Sequence, residues 1–246
     1  MKLKFLGTSD SAGMPVHNCK CKACEYHRKH NIQNYPTSAY IEFENNVIML
    51  DAGRDDACWL FDGKKIDAIF LTHFHADHAY GLLRLRYSQT EIPTYHPKDE
   101  KGFDSLYKQP HRLSFTCNTP FKPIHVKNIS FIPIPLIHSK NTNGYLIITP
   151  KKVVAYLTDC SEIPEESMNF LNSYDIDAIF LDGCYAPDFD GNNHLNYIEA
   201  EELISKLNPK DGYLIHACHQ ALTHLLENPK KSKYSYIENN FSYDLE

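Results

Sequence analysis

Leu71-Thr72-His73-Phe74-His75-Ala76-Asp77-His78 follows the apolar run Ile66-Asp67-Ala68-Ile69-Phe70. Three imidazoles and a carboxylate fall in the spacing H-x-H-x-D-H, directly after a segment that reads as a buried strand. Imidazole and carboxylate are the side chains that hold zinc and manganese. A strand end followed by a tight turn aims such side chains at one point. The stretch therefore predicts a metal-binding turn rather than a polar surface loop.

A catalytic ion takes about four donors and keeps one position open, and two ions that share a carboxylate need roughly seven protein ligands. His73, His75, Asp77 and His78 supply four. Three more candidates each end an apolar run. His138 follows Ile132-Pro133-Ile134-Pro135-Leu136-Ile137, Asp159 follows Val153-Val154-Ala155-Tyr156-Leu157-Thr158, and His216 follows Gly212-Tyr213-Leu214-Ile215.

Around these points strands alternate with helices. Residues 2–6 predict a first strand, followed by a long loop to about Tyr35. Residues 38–43 and 47–50 predict a hairpin about Glu44-Asn45-Asn46, whose asparagines tolerate the left-handed region. Helices are expected at 55–61, 79–87, near 99–107, and at 165–172, 197–207 and 219–226, the last stopped by Pro229. Strands are expected at 66–71, 145–149, 153–157, 176–181 and 213–215, with a proline-rich, strand-like middle between 92 and 137. The tail after Pro229 is expected to end as an edge strand. Each half runs hairpin, strand, helix. That order predicts an α/β fold, an αββα sandwich of two mixed β-sheets flanked by helices, with residues 1–246 as one domain.

The chain has 246 residues, 42% of them hydrophobic and 23% charged, as in ordinary globular proteins. No apolar stretch is long enough for a membrane helix and no secretion signal is visible, so the expected location is cytoplasmic. The formal net charge of −6 disfavours binding to long nucleic acid. Three of the eight cysteines crowd together as Cys19-Lys20-Cys21-Lys22-Ala23-Cys24, a spacing better explained by metal than by disulfides. Cys58, Cys117, Cys160, Cys184 and Cys218 read as small core residues. His194, in Asn192-Asn193-His194-Leu195-Asn196, lies in a polar loop before a helix and is a candidate proton donor.

The ordered set of H-x-H-x-D-H, His138, Asp159 and His216 resembles the metallo-β-lactamase superfamily. Within it, the chain resembles the PhnP-type phosphoribosyl cyclic phosphodiesterases of the carbon–phosphorus lyase pathway. Gly7-Thr8-Ser9 with the cysteine cluster, Gly81-Leu82-Leu83-Arg84-Leu85-Arg86-Tyr87, His138-Ser139-Lys140, Asn193-His194 and His216-Ala217-Cys218-His219-Gln220 support that match. The resemblance implies a metallo-β-lactamase fold. It also implies two divalent ions, manganese or zinc, one at His73, His75 and His138, the other at Asp77, His78 and His216, with Asp159 bridging. It implies a structural zinc on Cys19, Cys21, Cys24 and His219 that pins the loop at about 8–35. His194 and Asp77 are the implied catalytic residues, and Ser139, Lys140 and Arg86 are candidate phosphate contacts. The implied activity is a binuclear-metal phosphodiesterase converting 5-phosphoribosyl 1,2-cyclic phosphate to ribose 1,5-bisphosphate, in phosphonate metabolism. The partner is then a small-molecule phosphodiester, with a homodimer a family-based expectation. Alternatives on the same fold are RNA 3′-processing of the tRNase Z kind, for which no long basic, Gly-rich arm is visible, and thioester hydrolysis.

Overall fold

Strand alternation decides which residues meet. The computed structural model describes residues 1–99, 104–189, 191–229 and 232–246. The first half supplies β1 (Lys2–Gly7), α1 (Lys22–His30), β2 (Ser38–Phe43), β3 (Asn46–Leu50), α2 (Ala57–Leu60), β4 (Lys65–Phe70), α3 (Ala76–Ala79), α4 (Leu82–Leu85), β5 (Ile92–His96), α5 (Asp104–Lys108) and β6 (Leu113–Cys117). The second half supplies β7 (Ile124–Val126), β8 (Ile129–Leu136), β9 (Thr142–Ile148), β10 (Val153–Leu157), α6 (Glu165–Leu171), β11 (Ala178–Asp182), α7 (Tyr197–Leu207), β12 (Asp211–Ile215) and α8 (His219–Glu227). The tail adds β13 (Ser235–Tyr236) and β14 (Ser242–Asp244).

These strands form two seven-stranded sheets, in the orders β14-β1-β2-β3-β4-β5-β6 and β13-β12-β11-β10-β9-β8-β7. Both are mixed: β2 and β3 pair antiparallel and β3 and β4 parallel, as β9 and β10 pair antiparallel and β10 and β11 parallel. Inward-facing Phe5, Ile48, Phe70, Phe131, Tyr156 and Phe180 fill the space between the sheets. Their neighbours on the same strands face outward. Val47, Met49 and Ile69 pack under α4 residues, and Leu157, Ile179 and Leu181 pack under α6 and α7. Strands buried on both faces explain the continuous apolar runs of the sequence. Truncating one inner ring, Phe180 for example, costs about 3–5 kcal/mol. The αββα sandwich expected from the sequence is thus the observed fold. The tail does form edge strands, one on each sheet.

Four local expectations are corrected. The loop after β1 contains α1, a nine-residue helix. Its last turn holds His27, Arg28, Lys29 and His30, which suit a helix C-terminus, and Asn31 ends it at φ 53°. Its few apolar residues hide it from a periodicity reading. In the β2–β3 turn it is Glu44, not an asparagine, that takes the left-handed region, at φ 52°. The single helix expected at 79–87 is two short ones, α3 and α4, and α3 begins inside the H-x-H-x-D-H stretch. The cause lies in the loop after β3. Ala52 N–H donates to His78 O and Gly81 N–H to Ala52 O, both at 2.7 Å. A Cβ on Gly53 would overlap the carbonyl of Asp77, so only glycine allows this approach. Of the five cysteines assigned to the core, Cys160, Cys184 and Cys218 are buried, whereas Cys58 is half-buried and Cys117 exposed. Residues 100–103 of the helix expected near 99–107 lie outside the described residues.

Candidate metal centre

Donors gather where strands end. His73, His75, Asp77 and His78 follow β4, His138 follows β8, Asp159 follows β10 and His216 follows β12. Asp159 and His216 leave their strands at φ 58° and 62°, and Asp51, after β3, does so at 61°. Such backbone costs on the order of 1–3 kcal/mol per residue and persists only where the surroundings enforce it. Here it turns each side chain into one cleft between the sheet ends.

All seven donors expected from the sequence meet there, in two sets. His73, His75, His138 and Asp159 each place a ligand atom within 4.8 Å of the others, and so do Asp77, His78, Asp159 and His216. In the first set, His73 Nε2 and His138 Nε2 lie 2.8 Å and 3.2 Å from His75 Nδ1. Asp159 Oδ2 stands 3.6 Å from His73 Nε2 and 3.8 Å from His138 Nε2. The other oxygen, Oδ1, faces the second set, 3.2 Å from His78 Nε2 and 3.1 Å from His216 Nε2. Asp77 Oδ2 completes that set, 3.4 Å from His78 Nε2. One carboxylate thus offers an oxygen to each group.

The chemistry of the donors fits two cations. Buried His78 Nε2 and His216 Nε2 have no hydrogen-bond partner, which an ion beside Asp159 would provide. The charges point the same way. Burial opposes charge on His78, yet Asp159, Asp51 and Asp77 raise its pKa well above the ordinary value. Burial likewise opposes charge on His216, but Asp159 and Asp77 outweigh it and raise its pKa to about 9. The Asp159 carboxyl, for its part, is held well below the carboxylate range by His216 and His78 against the cost of burial. His73, crowded by burial and by His78, is pushed down. So the carboxylates call for positive charge, which bound cations would supply while leaving the imidazoles neutral and able to ligate.

Two carboxylates that the sequence reading missed hold this centre. Asp51 Oδ2 accepts from His78 Nδ1 at 2.9 Å, and Oδ1 accepts from Thr72 N–H at 2.8 Å. Asp182 Oδ2 accepts from His194 Nδ1 at 2.7 Å and from Cys160 N–H at 2.9 Å. Both end apolar strands, the same signal that singled out Asp159. His194 is placed by what surrounds it. Asn196 caps α7, its side chain accepting from Ile198 and Glu199 N–H at 3.0 Å, in a capping box with Glu199. The His194 ring lies 4.8 Å from that of His216 and 4.9 Å from that of His138, between one donor of each set. His138 Nδ1 in turn donates to the Asn193 carbonyl at 2.9 Å. Ser139 Oγ reaches the centre, 3.4 Å from His75 Nε2. Lys140 instead pairs with Asp99 at 3.1 Å, and Arg86 donates to the Ser105 carbonyl.

The cysteines form a separate group. Cys19, Cys21, Cys24 and His219 place their ligand atoms within 4.8 Å of one another, joining the N-terminal loop and α1 to α8. Cys19 Sγ and Cys21 Sγ each lie 3.3 Å from His219 Nδ1. Burial resists ionisation of Cys21, but hydrogen bonds from Thr223 and Cys24 N–H bring its pKa down to about 6. Cys24, buried beside two other thiols, is pushed up to about 12. Three thiolates cannot coexist there without a cation, and a closed set of three Cys and one His suits zinc.

Residues 48–217 match the family described as the β-lactamase superfamily domain. The chain belongs to the metallo-β-lactamase superfamily. The donor groups above are its candidate metal sites. Among solved structures it is similar to a diphosphatase of the PhnP family, at 26% identity and a TM-score of 0.82, over 98% of this chain and 96% of that one. It is 27% identical over 243 residues to an octanoyltransferase of Porphyromonas gingivalis, covering 91% of this chain. This chain spans about half of that relative, 47% of its length. It is 22% identical over 219 residues to the probable metallo-hydrolase YhfI of Bacillus subtilis, covering 82% of this chain and 88% of that one. No helix among the described residues is long and apolar enough to cross a membrane.

Proposed function

We propose that this superfamily member is a binuclear-metal phosphodiesterase that opens a small cyclic phosphate, 5-phosphoribosyl 1,2-cyclic phosphate, to ribose 1,5-bisphosphate. The observation that carries the reading is the Asp159 carboxylate, with Oδ2 turned to one set of donors and Oδ1 to the other. In this reading His73, His75 and His138 hold one ion, Asp77, His78 and His216 the other, and Asp159 both. When bound, the pair supplies an activated water and neutralises charge on the phosphoryl oxygens.

The chain's own residues do the rest. His194 keeps its Nδ1 hydrogen on Asp182, so that in its doubly protonated form the second hydrogen, on Nε2, is the one passed to the leaving oxygen. Ser139, at the edge of the first set, can donate to a phosphoryl oxygen. Asp77 has its pKa held far below the carboxylate range, chiefly by His78 and His216 against burial. In this reading it serves as a ligand of the second ion, its Oδ2 lying 3.4 Å from His78 Nε2. Lys140 and Arg86 are engaged elsewhere and drop out as phosphate contacts.

A diphosphate is the second reading, favoured by the likeness to the PhnP-family diphosphatase. Both substrates present a phosphoryl centre and a leaving oxygen to the same groups. The test is one panel, run on protein loaded with manganese or with zinc. It holds the ribosyl cyclic phosphate, a diphosphate ester, a thioester and a precursor tRNA. Turnover of the cyclic phosphate is expected to exceed the others. Preference for the thioester or the tRNA overturns the proposal, and preference for the diphosphate selects the second reading.

A further inference from the structure

Asp182, Cys184, His194 and His216 each place a ligand atom within 4.8 Å of the other three. Asp182, Cys184 and His216 are buried, and the His194 side chain is only 13% exposed. Only His216 belongs to the binuclear set, and it faces that set through Nε2. Its Nδ1 points the other way, 4.0 Å from Asp182 Oδ1, and has no hydrogen-bond partner although it is buried. With Nε2 on an ion, Nδ1 keeps its hydrogen and lacks an acceptor. Asp182 meets Cys160 N–H, Cys184 N–H and His194 Nδ1. Oδ2 thus already faces His194 Nδ1, and Asp182, Cys184 and His194 each bring a ligand atom within 4.8 Å of the others.

We propose that Asp182, Cys184 and His194 form a third metal site, an inhibitory one, that takes zinc or a similarly soft divalent ion from excess. Carboxylate, thiolate and imidazole are a zinc set, and the thiolate selects against manganese. A water in the fourth position would accept the orphaned His216 Nδ1–H. Zinc entering here displaces the Cys184 Sγ proton to solvent and takes the place of the Nδ1 hydrogen of His194. That hydrogen leaves to solvent when His194 starts doubly protonated and shifts to Nε2 when it starts neutral. The bound imidazole is therefore neutral and no longer the imidazolium that can give up a proton. His194 then loses its hydrogen bond to Asp182 and is fixed as a ligand. The inhibition rests on His194 being the proton donor of the proposed hydrolysis; the binding does not.

The test has two arms. In the first, manganese-loaded enzyme is titrated with zinc, against whichever ester it hydrolyses. Activity should fall with free zinc, recover with a weak chelator, and stay unaffected by excess manganese. The variant Cys184→Ser should keep its activity without added zinc and need at least about tenfold more zinc for the same inhibition. Equal inhibition of both proteins would place the zinc in the binuclear centre and overturn the proposal. In the second arm, cadmium is titrated into both proteins and thiolate-to-cadmium absorption is followed. Four thiolates should report in the wild type and three in Cys184→Ser, the three from Cys19, Cys21 and Cys24 showing that the variant is folded. Three in the wild type would also overturn it. This arm needs no substrate, so its outcome is independent of the phosphodiesterase reading.

Discussion

His78 donates from Nδ1 to the Asp51 carboxylate across 2.9 Å, and both side chains are wholly buried. The bond fixes the tautomer, leaving Nε2 to face Asp77 and Asp159. Partners of this kind orient a ligating imidazole and raise its basicity, and losing one typically costs 10–100-fold in metal affinity. Asp51→Asn should therefore weaken the more labile ion about 10–100-fold. Competition against a calibrated chelator measures this. Activity should return as metal is raised, and an unchanged affinity would leave Asp51 with a packing role only.

The raised pKa of His216 sets a pH dependence whose sign differs between the metal-free and loaded protein. Its value moves from 6.5 to about 9 on folding without metal. A raised pKa gives stability that is complete below the unfolded value and is lost as pH rises through the folded one. The metal-free protein should thus lose stability between pH 6.5 and 9. An ion must displace the same proton, so apparent affinity should climb over that window, by up to about tenfold per pH unit for one proton. Thermal melts of both forms check the first statement. Calorimetry in buffers of different ionisation heat counts the protons released and checks the second.

Much of this site was legible because strand ends are legible. His138, Asp159 and His216 each close a run of apolar residues, and those runs are continuous because the strands are buried on both faces. The same pattern marks Asp51 after Val47–Leu50 and Asp182 at the end of β11, yet a count of ligands gives no reason to select them. Their importance comes from hydrogen bonds to His78 and His194, and these depend on which strands are neighbours. α1 escaped for another reason. A helix held by α8 and the cysteine group needs no apolar stripe of its own, and only Ala23 and Cys24 are buried in it. The break between α3 and α4 was hidden too, because it is imposed by the backbone of residues 51–54, which lie far away in sequence.

The cysteine group yields a third prediction. Cys21→Ser removes one of four donors joining α1 to α8. The purified variant should hold one zinc fewer per chain. Loss of a structural metal belongs to the severe class of destabilisation, so its unfolding free energy should fall by about 3 kcal/mol or more. Chelation of the wild type should reproduce the loss. Metal analysis with denaturant melts tests both, and a stable variant with unchanged zinc content would contradict the assignment.

His194 and Asp182 separate a proton donor from a structural residue through the leaving group. A general acid matters most when the departing oxygen is a strong base, where its removal costs typically 10²–10⁴-fold. His194→Asn should lose activity in that range on an alkyl or ribosyl ester. With a nitrophenyl ester, whose leaving oxygen needs no proton, the loss should shrink towards nothing. Asp182→Asn keeps the shape but no longer holds the Nδ1 hydrogen on a carboxylate. It should show the same leaving-group pattern with a smaller loss, and should leave KM for the nitrophenyl ester nearly unchanged. A structural role for either residue would slow all esters alike. The quantity to measure is therefore the slope of log kcat against leaving-group pKa. It should steepen in both variants, and a slope equal to that of the wild type would remove His194 from proton transfer.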